Sequence, residues 1–232
     1  MLGILTLDTA FPRIPGDVGA PDTFSFPVRI ATVKGAIVRA IMHDPQPALL
    51  PRFVMHARAL AGAGCLGITT TCGFLVRWQR ELAHAVNVPV LTSSLLQIPL
   101  LARTLAGGRR VGVVTYSAGD LPASVLTEAG APADTPVVGV DPGSYFGTLV
   151  RDGGPTLDRA RMAQDVIAAS LRLVTQHADI GSIVLECANM PPYRDQVAEA
   201  TGLPVFDAAQ LIAWFYGGLT PDPPRHLRSN VW

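Results

Sequence analysis

Short apolar runs alternate with longer amphipathic stretches along this chain. Eight runs read as strands: Leu2–Leu7, Phe26–Val33, Cys65–Thr71, Val88–Leu91, Val111–Tyr116, Pro136–Val140, Ile180–Leu185 and Leu203–Phe206. Most are apolar at nearly every position, the pattern of parallel strands covered on both faces. From Thr156 to His177 the period changes. Ala160, Ala163, Ile167, Leu171 and Val174 recur at helical spacing, and Asp158, Arg159, Arg161, Asp165 and Arg172 supply a wet face. That spacing predicts an amphipathic helix. Strand–helix alternation of this kind predicts an α/β fold with parallel sheets.

The pattern also repeats. ITTTCGFLVRWQRELAHAVNVPVL, from Ile68, matches VLECANMPPYRDQVAEATGLPVFD, from Val184, in organisation. In each, an apolar strand ends at a cysteine, a helix follows, and an apolar-Pro-Val strand returns. Cys72 lies 17 residues before Pro89, and Cys187 lies 17 before Pro204. LGILTLDT, from Leu2, likewise resembles VGVVTYSA, from Val111, with Gly3 and Gly112 in corresponding places. The expectation is two pseudo-symmetric, Rossmann-like α/β lobes with the active site in the cleft between them. One lobe spans 1–95 and carries Cys72; 96–107 connects it to a second, 108–207, which carries Cys187. Residues 208–232 follow as a helix, Ala208–Tyr216, and an irregular tail rich in Gly and Pro.

Composition narrows the function classes. The chain has 232 residues, 49% hydrophobic and 16% charged, as a globular protein with a sizeable core has. Its formal net charge is zero, which removes the electrostatic case for a nucleic-acid or anionic-membrane partner. The opening MLGILTLD lacks a basic segment and its apolar run stops at Asp8, so it does not read as a signal peptide. No apolar run approaches the roughly 20 residues that span a bilayer. Three cysteines make no disulfide framework, and a reducing cytoplasm is the simplest reading.

The two repeated cysteines carry the chemistry. In open α/β sheets, ligands sit beyond the carboxyl ends of the strands, where both fall. A helix N-terminus there offers free N–H groups that favour a thiolate and can also hold a carboxylate. A free thiol near pKa ~8.5 is only about 3% ionised at pH 7, and a downward shift of about one unit would make that roughly a quarter. Two related lobes would set the thiols on opposite sides of a bound carbon, an arrangement suited to two-base proton transfer. Cys65, at the start of a strand in GAGCLGI, reads as a core residue.

These loops resemble the aspartate/glutamate racemase superfamily, which includes aspartate, glutamate and hydantoin racemases, maleate isomerases and arylmalonate decarboxylases. The resemblance rests on Asp8-Thr9 at the end of the first strand and on Thr69-Thr70-Thr71-Cys72-Gly73. It rests also on Thr115-Tyr116-Ser117 and on Cys187-Ala188-Asn189-Met190-Pro191. Gly73 stands where amino-acid racemases often have Asn, and Ala188-Asn189 where they often have Thr-His. The resemblance implies a cofactor-independent racemase or epimerase of an amino acid or related small carboxylate, without cofactor or metal, and a homodimer. Cys72 and Cys187 would be catalytic. Asp8, Thr9, Thr71, Gly73, Thr115, Ser117, Ala188 and Asn189 would bind substrate. Maleate-type cis–trans isomerisation of a small dicarboxylate, or carboxylate binding without catalysis, are the alternatives.

Other features fit less well. Lys34 is the only lysine and has no phosphate-cradling Gly motif beside it, which argues against pyridoxal chemistry. The first strand is not followed by Gly-x-Gly-x-x-Gly, which argues against a dinucleotide site. The Pro/Gly-rich loop Phe11–Gly19 reads either as a surface loop or as a lid whose Arg13 meets a carboxylate. Ser93 and Ser94 read as helix caps. His43, His56, His84, His177 and His226 show no metal-ligand spacing.

Overall fold

The computed structural model describes residues 1–42 and 49–220. It contains two four-stranded, all-parallel sheets. The first comprises β1 (Leu2–Leu7), β2 (Val28–Val33), β3 (Ile68–Thr70) and β4 (Val90–Leu91), in the order β2-β1-β3-β4. The second comprises β5 (Arg110–Thr115), β6 (Val137–Gly139), β7 (Ile180–Leu185) and β8 (Val205–Phe206), in the order β6-β5-β7-β8. The identical order is the structural counterpart of the sequence repeat. All eight strands expected from the apolar runs are present, most of them trimmed at their ends. His43, His226 and the tail beyond residue 220 lie outside the described residues.

Helices cover both sheets. They are α1 (Val38–Met42), α2 (Leu49–Gly62), α3 (Gln79–Ala85), α4 (Ile98–Ala102), α5 (Ala123–Glu128), α6 (Tyr145–Asp152), α7 (Arg159–Gln176), α8 (Arg194–Thr201) and α9 (Ala208–Leu219). The matched glycines have a matched cause. A Cβ on Gly3 would lie 3.0 Å from Leu60 of α2, and one on Gly112 would lie 2.7 Å from Leu173 of α7. Each glycine lets the longest helix of its half press onto the central strand. Asp158 caps α7 by accepting from the N–H groups of Ala160 and Arg161.

Two boundaries differ from expectation. α9 runs through Gly217 and Gly218 to Leu219, where the sequence suggested an irregular tail from Gly217. Its apolar face packs with Leu2, Ile4, Val18 and Ala188, and this burial outweighs the helix penalty of about 1 kcal/mol per glycine. Cys72 and Cys187 lead not straight into α-helices but into 3₁₀ turns, Gly73–Trp78 and Pro191–Tyr193, ahead of α3 and α8. The two halves also share apolar core: one cluster joins Leu5, Ile68 and Phe53 to Val113, Leu126 and Val184. Ser94 crosses between the halves to donate to the carbonyls of Leu185 and Glu186.

Candidate active site

The site forms where strand order reverses between β1 and β3 and between β5 and β7, the usual place for a ligand crevice. Hydroxyls at the end of β3 fix the first cysteine loop. Thr71 donates to Thr6 and accepts from the Leu7 N–H, tying β3 to β1. Thr70 donates to the Thr92 carbonyl and accepts from the Cys72 N–H. Cys72 itself is extended (φ −147°, ψ 113°) and caps the turn Gly73–Trp78.

The second cysteine loop is held by a polar chain that sequence reasoning did not assemble. The Cys187 thiol donates to Asn189 Oδ1 at 3.5 Å, and Asn189 Nδ2 donates to Asp17 Oδ2 at 2.6 Å. Asp17, 2% exposed, also accepts from Arg13 Nη1 at 3.0 and 3.1 Å and from the Gly19 N–H. Arg13 Nη2 reaches Thr9 at 2.8 Å. The loop Phe11–Gly19 is thus fastened to the second cysteine loop, and its arginine is already paired.

Both cysteines line one cavity of about 30 Å³, together with Thr9, Arg13, Thr71, Gly73, Glu186 and Asn189. That is room for about two waters. Leu7, Val38, Met42, Phe74, Tyr116 and Val150 form its apolar wall. The other expected binding residues lie off it. Asp8 accepts from the Gly35 N–H and from Lys34 at the surface, a turn-stabilising role. Ser117 donates to Asp120 on a neighbouring depression. Ala188 lies in the α9 cluster, and its carbonyl accepts from Val18. Thr115 is buried beneath the cavity and donates to Glu186 Oε2 at 2.8 Å.

Glu186 is the functional candidate the sequence reading missed. It is 1% exposed, and Oε1 has no hydrogen-bond partner among the described residues. Its carboxyl packs on Gly73, where any Cβ would collide with it. This gives a physical reason for the glycine after Cys72. The signal was present in Val184-Leu185-Glu186-Cys187, a charged residue closing an otherwise apolar run.

The electrostatics correct the expectation of a helix-stabilised thiolate. Burial, and next the Glu186 charge, push the Cys72 thiol up to about 12, against the N–H groups of Phe74 and Leu75 and the charge of Arg77. Burial and Glu186, then Cys72 and Asp17, push Cys187 well above the ordinary thiol range, against the Asn189 N–H. A short 3₁₀ turn presents too few amides to offset desolvation. Arg77 favours the Cys72 thiolate, whereas the charges of Glu186 and Asp17 oppose that of Cys187, so Cys72 is the better placed of the two to ionise. Burial pushes Glu186 up to about 7, against the Thr115 hydroxyl and the Tyr116 N–H. Among the described residues, no group of three or more His, Cys, Asp or Glu side chains is arranged to hold a metal ion, and no helix is long and apolar enough to cross a membrane.

Solved structures with the same architecture include a glycine-to-cysteine variant of arylmalonate decarboxylase in a sulfate-associated form. Its TM-score is 0.64 at 18% identity, covering 94% of this chain and 92% of that one. Allantoin racemase from Pseudomonas fluorescens matches with a TM-score of 0.63 at 16% identity, over 97% and 99% of the two chains. Picrophilus torridus aspartate racemase matches at 0.57 and 13%, over 97% and 96%. The chain therefore has the fold of the aspartate/glutamate racemase superfamily, as its cysteine loops anticipated.

Sequence relatives point to a particular chemistry. A dimethylsulfoniopropionate lyase of Durusdinium sp. clade D is 29% identical over 239 residues, covering all of this chain and 78% of that protein. Dimethylsulfoniopropionate lyase 7 of Emiliania huxleyi (strain CCMP1516) is 28% identical over 240 residues, covering all of this chain and 70% of its own length. Lyase 5 of the same organism is 25% identical over 233 residues, and the chain spans only 46% of it. No family model matches the sequence. These relatives are enzymes, but lyases, and they overturn the racemase assignment made from the cysteine pair.

Proposed function

We propose that the chain is a lyase that eliminates dimethyl sulfide from dimethylsulfoniopropionate or a close β-sulfonio carboxylate. The observation that carries this reading is the pair of thiols on one small cavity, in a chain whose whole length aligns with lyases of that name. Elimination needs one base. The Cys72 thiolate takes a proton from the carbon next to the carboxylate, and the C–H electron pair becomes the C=C bond of acrylate. The C–S bond breaks, its electrons leave with sulfur, and dimethyl sulfide departs neutral. No group has to protonate the leaving sulfur, and the step balances without oxidant or reductant.

The remaining residues divide the other tasks. Backbone N–H groups at Gly73–Phe74, on the cavity wall, receive the carboxylate, whose negative charge grows as the proton leaves. Cys187, held as a thiol, donates to the same charge. The sulfonium lies against Phe74, Tyr116, Met42 and Val38, where aromatic faces attract a cation that has no N–H to offer. Its positive charge also favours ionisation of Cys72, so substrate helps generate its own base. Val38, Met42 and Tyr116 separate the cavity from an open depression of about 460 Å³ and part to admit substrate. The test is to incubate purified protein with dimethylsulfoniopropionate and follow headspace dimethyl sulfide and dissolved acrylate. Equal amounts of both are expected, lost in Cys72→Ser. Folded native protein that releases neither would overturn the reading.

A further inference from the structure

A two-base inversion takes one proton from its substrate and returns another, so the enzyme's proton count is unchanged, although its two groups have exchanged states. An elimination returns none. Each turnover leaves one proton on the base, and that proton must leave the site before the next. The cavity holds a group suited to this task. Glu186 lines it beside both cysteines, its Oε1 is buried without a partner among the described residues, and its carboxyl rests on the residue next to Cys72. Glu186 also borders a second small cavity of about 10 Å³, lined by Thr70, Thr92, Ser93 and Ser94 together with apolar Leu91, Leu211 and Ile212. That is space for about one water. Glu186 thus borders both the thiol-lined cavity and the one that carries these four hydroxyl residues.

We propose that Glu186 accepts the Cys72 thiol proton and carries each turnover's proton out of the site, a role that rests on the lyase reading. At rest Cys72 is a thiol and Glu186 a carboxylate. The S–H bond breaks as an O–H bond forms, giving thiolate and carboxylic acid. The thiolate then takes the α-proton, acrylate and dimethyl sulfide form, and Cys72 is a thiol again. Glu186 releases its proton towards the second cavity, and the resting state is restored with one proton delivered to solvent. Burial holds the carboxyl near 7, where it gains and loses protons readily at neutral pH, and the sulfonium charge of bound substrate brings the Cys72 thiol down towards it. The charged and titratable groups around the relay are Cys72, with Arg77 beyond it, Cys187, with Asp17 beyond it, and Arg13 and Tyr116 on the same cavity.

Glu186→Gln separates this role from simple repulsion, because the two predict opposite changes in rate. Removing the negative neighbour should lower the midpoint of Cys72 ionisation, by about one pH unit or more. This is read from the pH dependence of iodoacetamide labelling, quantified on the Cys72 peptide. Dimethyl sulfide release should nevertheless fall by about 10²-fold, and the limb of kcat/KM near pH 7 should vanish. A variant as fast as native, with that limb intact, would overturn the relay. So would an unshifted Cys72 midpoint. If native protein releases no dimethyl sulfide, the lyase reading and the proton exit fall together, while the labelling midpoint still decides whether Glu186 and Cys72 are coupled. Should Glu186→Gln not fold, Thr115→Val removes the hydroxyl that pulls the carboxyl pKa down. The limb should then move to higher pH, and an unmoved limb would refute the assignment.

Discussion

Glu186→Gln should also flatten the dependence of folding stability on pH. The perturbation removes one ionisable group and leaves an amide oxygen to accept from Thr115. Burial holds the Glu186 carboxyl near 7 in the folded chain, against an ordinary 4.5. Because the folded pKa is the higher one, the folded state holds this proton more tightly than the unfolded state. The resulting stabilisation is complete below the unfolded value, declines from about pH 4.5 upward, and is lost above about 7. A difference of about two and a half units corresponds to about 3 kcal/mol, with little solvent screening at 1% exposure. In a chain of this length 1 kcal/mol moves Tm by about 2–4 °C, so this group should cost the native protein about 6–12 °C between pH 4.5 and pH 8. Cys72, held near 12, titrates outside that window. Asp207, also raised by burial, is common to both proteins and cancels in the difference. Any cost of burying the amide nitrogen is a constant offset; only the slope matters. The assay is a set of thermal or urea melts from pH 4.5 to 8.5 on both proteins. Parallel stability curves would refute the reasoning, because they would mean that the carboxyl keeps an ordinary pKa in the fold.

Three further outcomes follow from the same geometry. Asp17→Asn leaves Arg13 without its carboxylate and disturbs the contact that orients Asn189; melts should show a loss of about 3–5 kcal/mol. Gly73→Ala drives a methyl group into the Glu186 carboxyl, so it should lower stability by about 1–3 kcal/mol and slow dimethyl sulfide release more than Ala substitution at exposed Gly62, which meets nothing. Cys187→Ser should keep a measurable rate, about 10²-fold below native, whereas Cys72→Ser should keep none; gas chromatography of the headspace distinguishes them, and equal losses would contradict the division of roles.

The fold was legible because its signals are local. Buried parallel strands announce themselves as apolar runs, and the 17-residue spacing from cysteine to proline recurs in both halves. The paired glycines were visible as a match, though only packing shows that α2 and α7 press on them. The lining of the shared cavity was legible where it followed the chain, at Thr9, Thr71, Cys72, Gly73, Cys187 and Asn189. It was not legible where it depends on distant pairings. Asp17 reaches Asn189 across more than half the chain, and no local pattern says that it closes the second cysteine loop. Asp8 looked like a ligand from its strand-end position, but the backbone brings Gly35 to it instead. The direction of the thiol shifts also depends on tertiary structure. A strand-end cysteine suggests stabilising amides, whereas the packing around it and the Glu186 charge decide the outcome.

The same charges explain why a cysteine pair on this fold need not mean racemisation. Inversion in both directions requires each thiol to serve as a base for one enantiomer. Cys187 is poorly suited to that task. Its proton is directed at Asn189 Oδ1, an orientation fixed because Asp17 claims the amide nitrogen, and the charges acting on it are negative. Cys72 has two backbone N–H groups and Arg77 on its side. The pair is therefore one potential base and one persistent donor, an asymmetry that serves a one-way reaction. In an elimination the donor meets the charge developing on the carboxylate, the base removes a single proton, and the neutral sulfide leaves without further help. The symmetric repeat places two thiols on one cavity; Glu186, Asp17 and Asn189, which have no equivalents in the first cysteine loop, make them unequal.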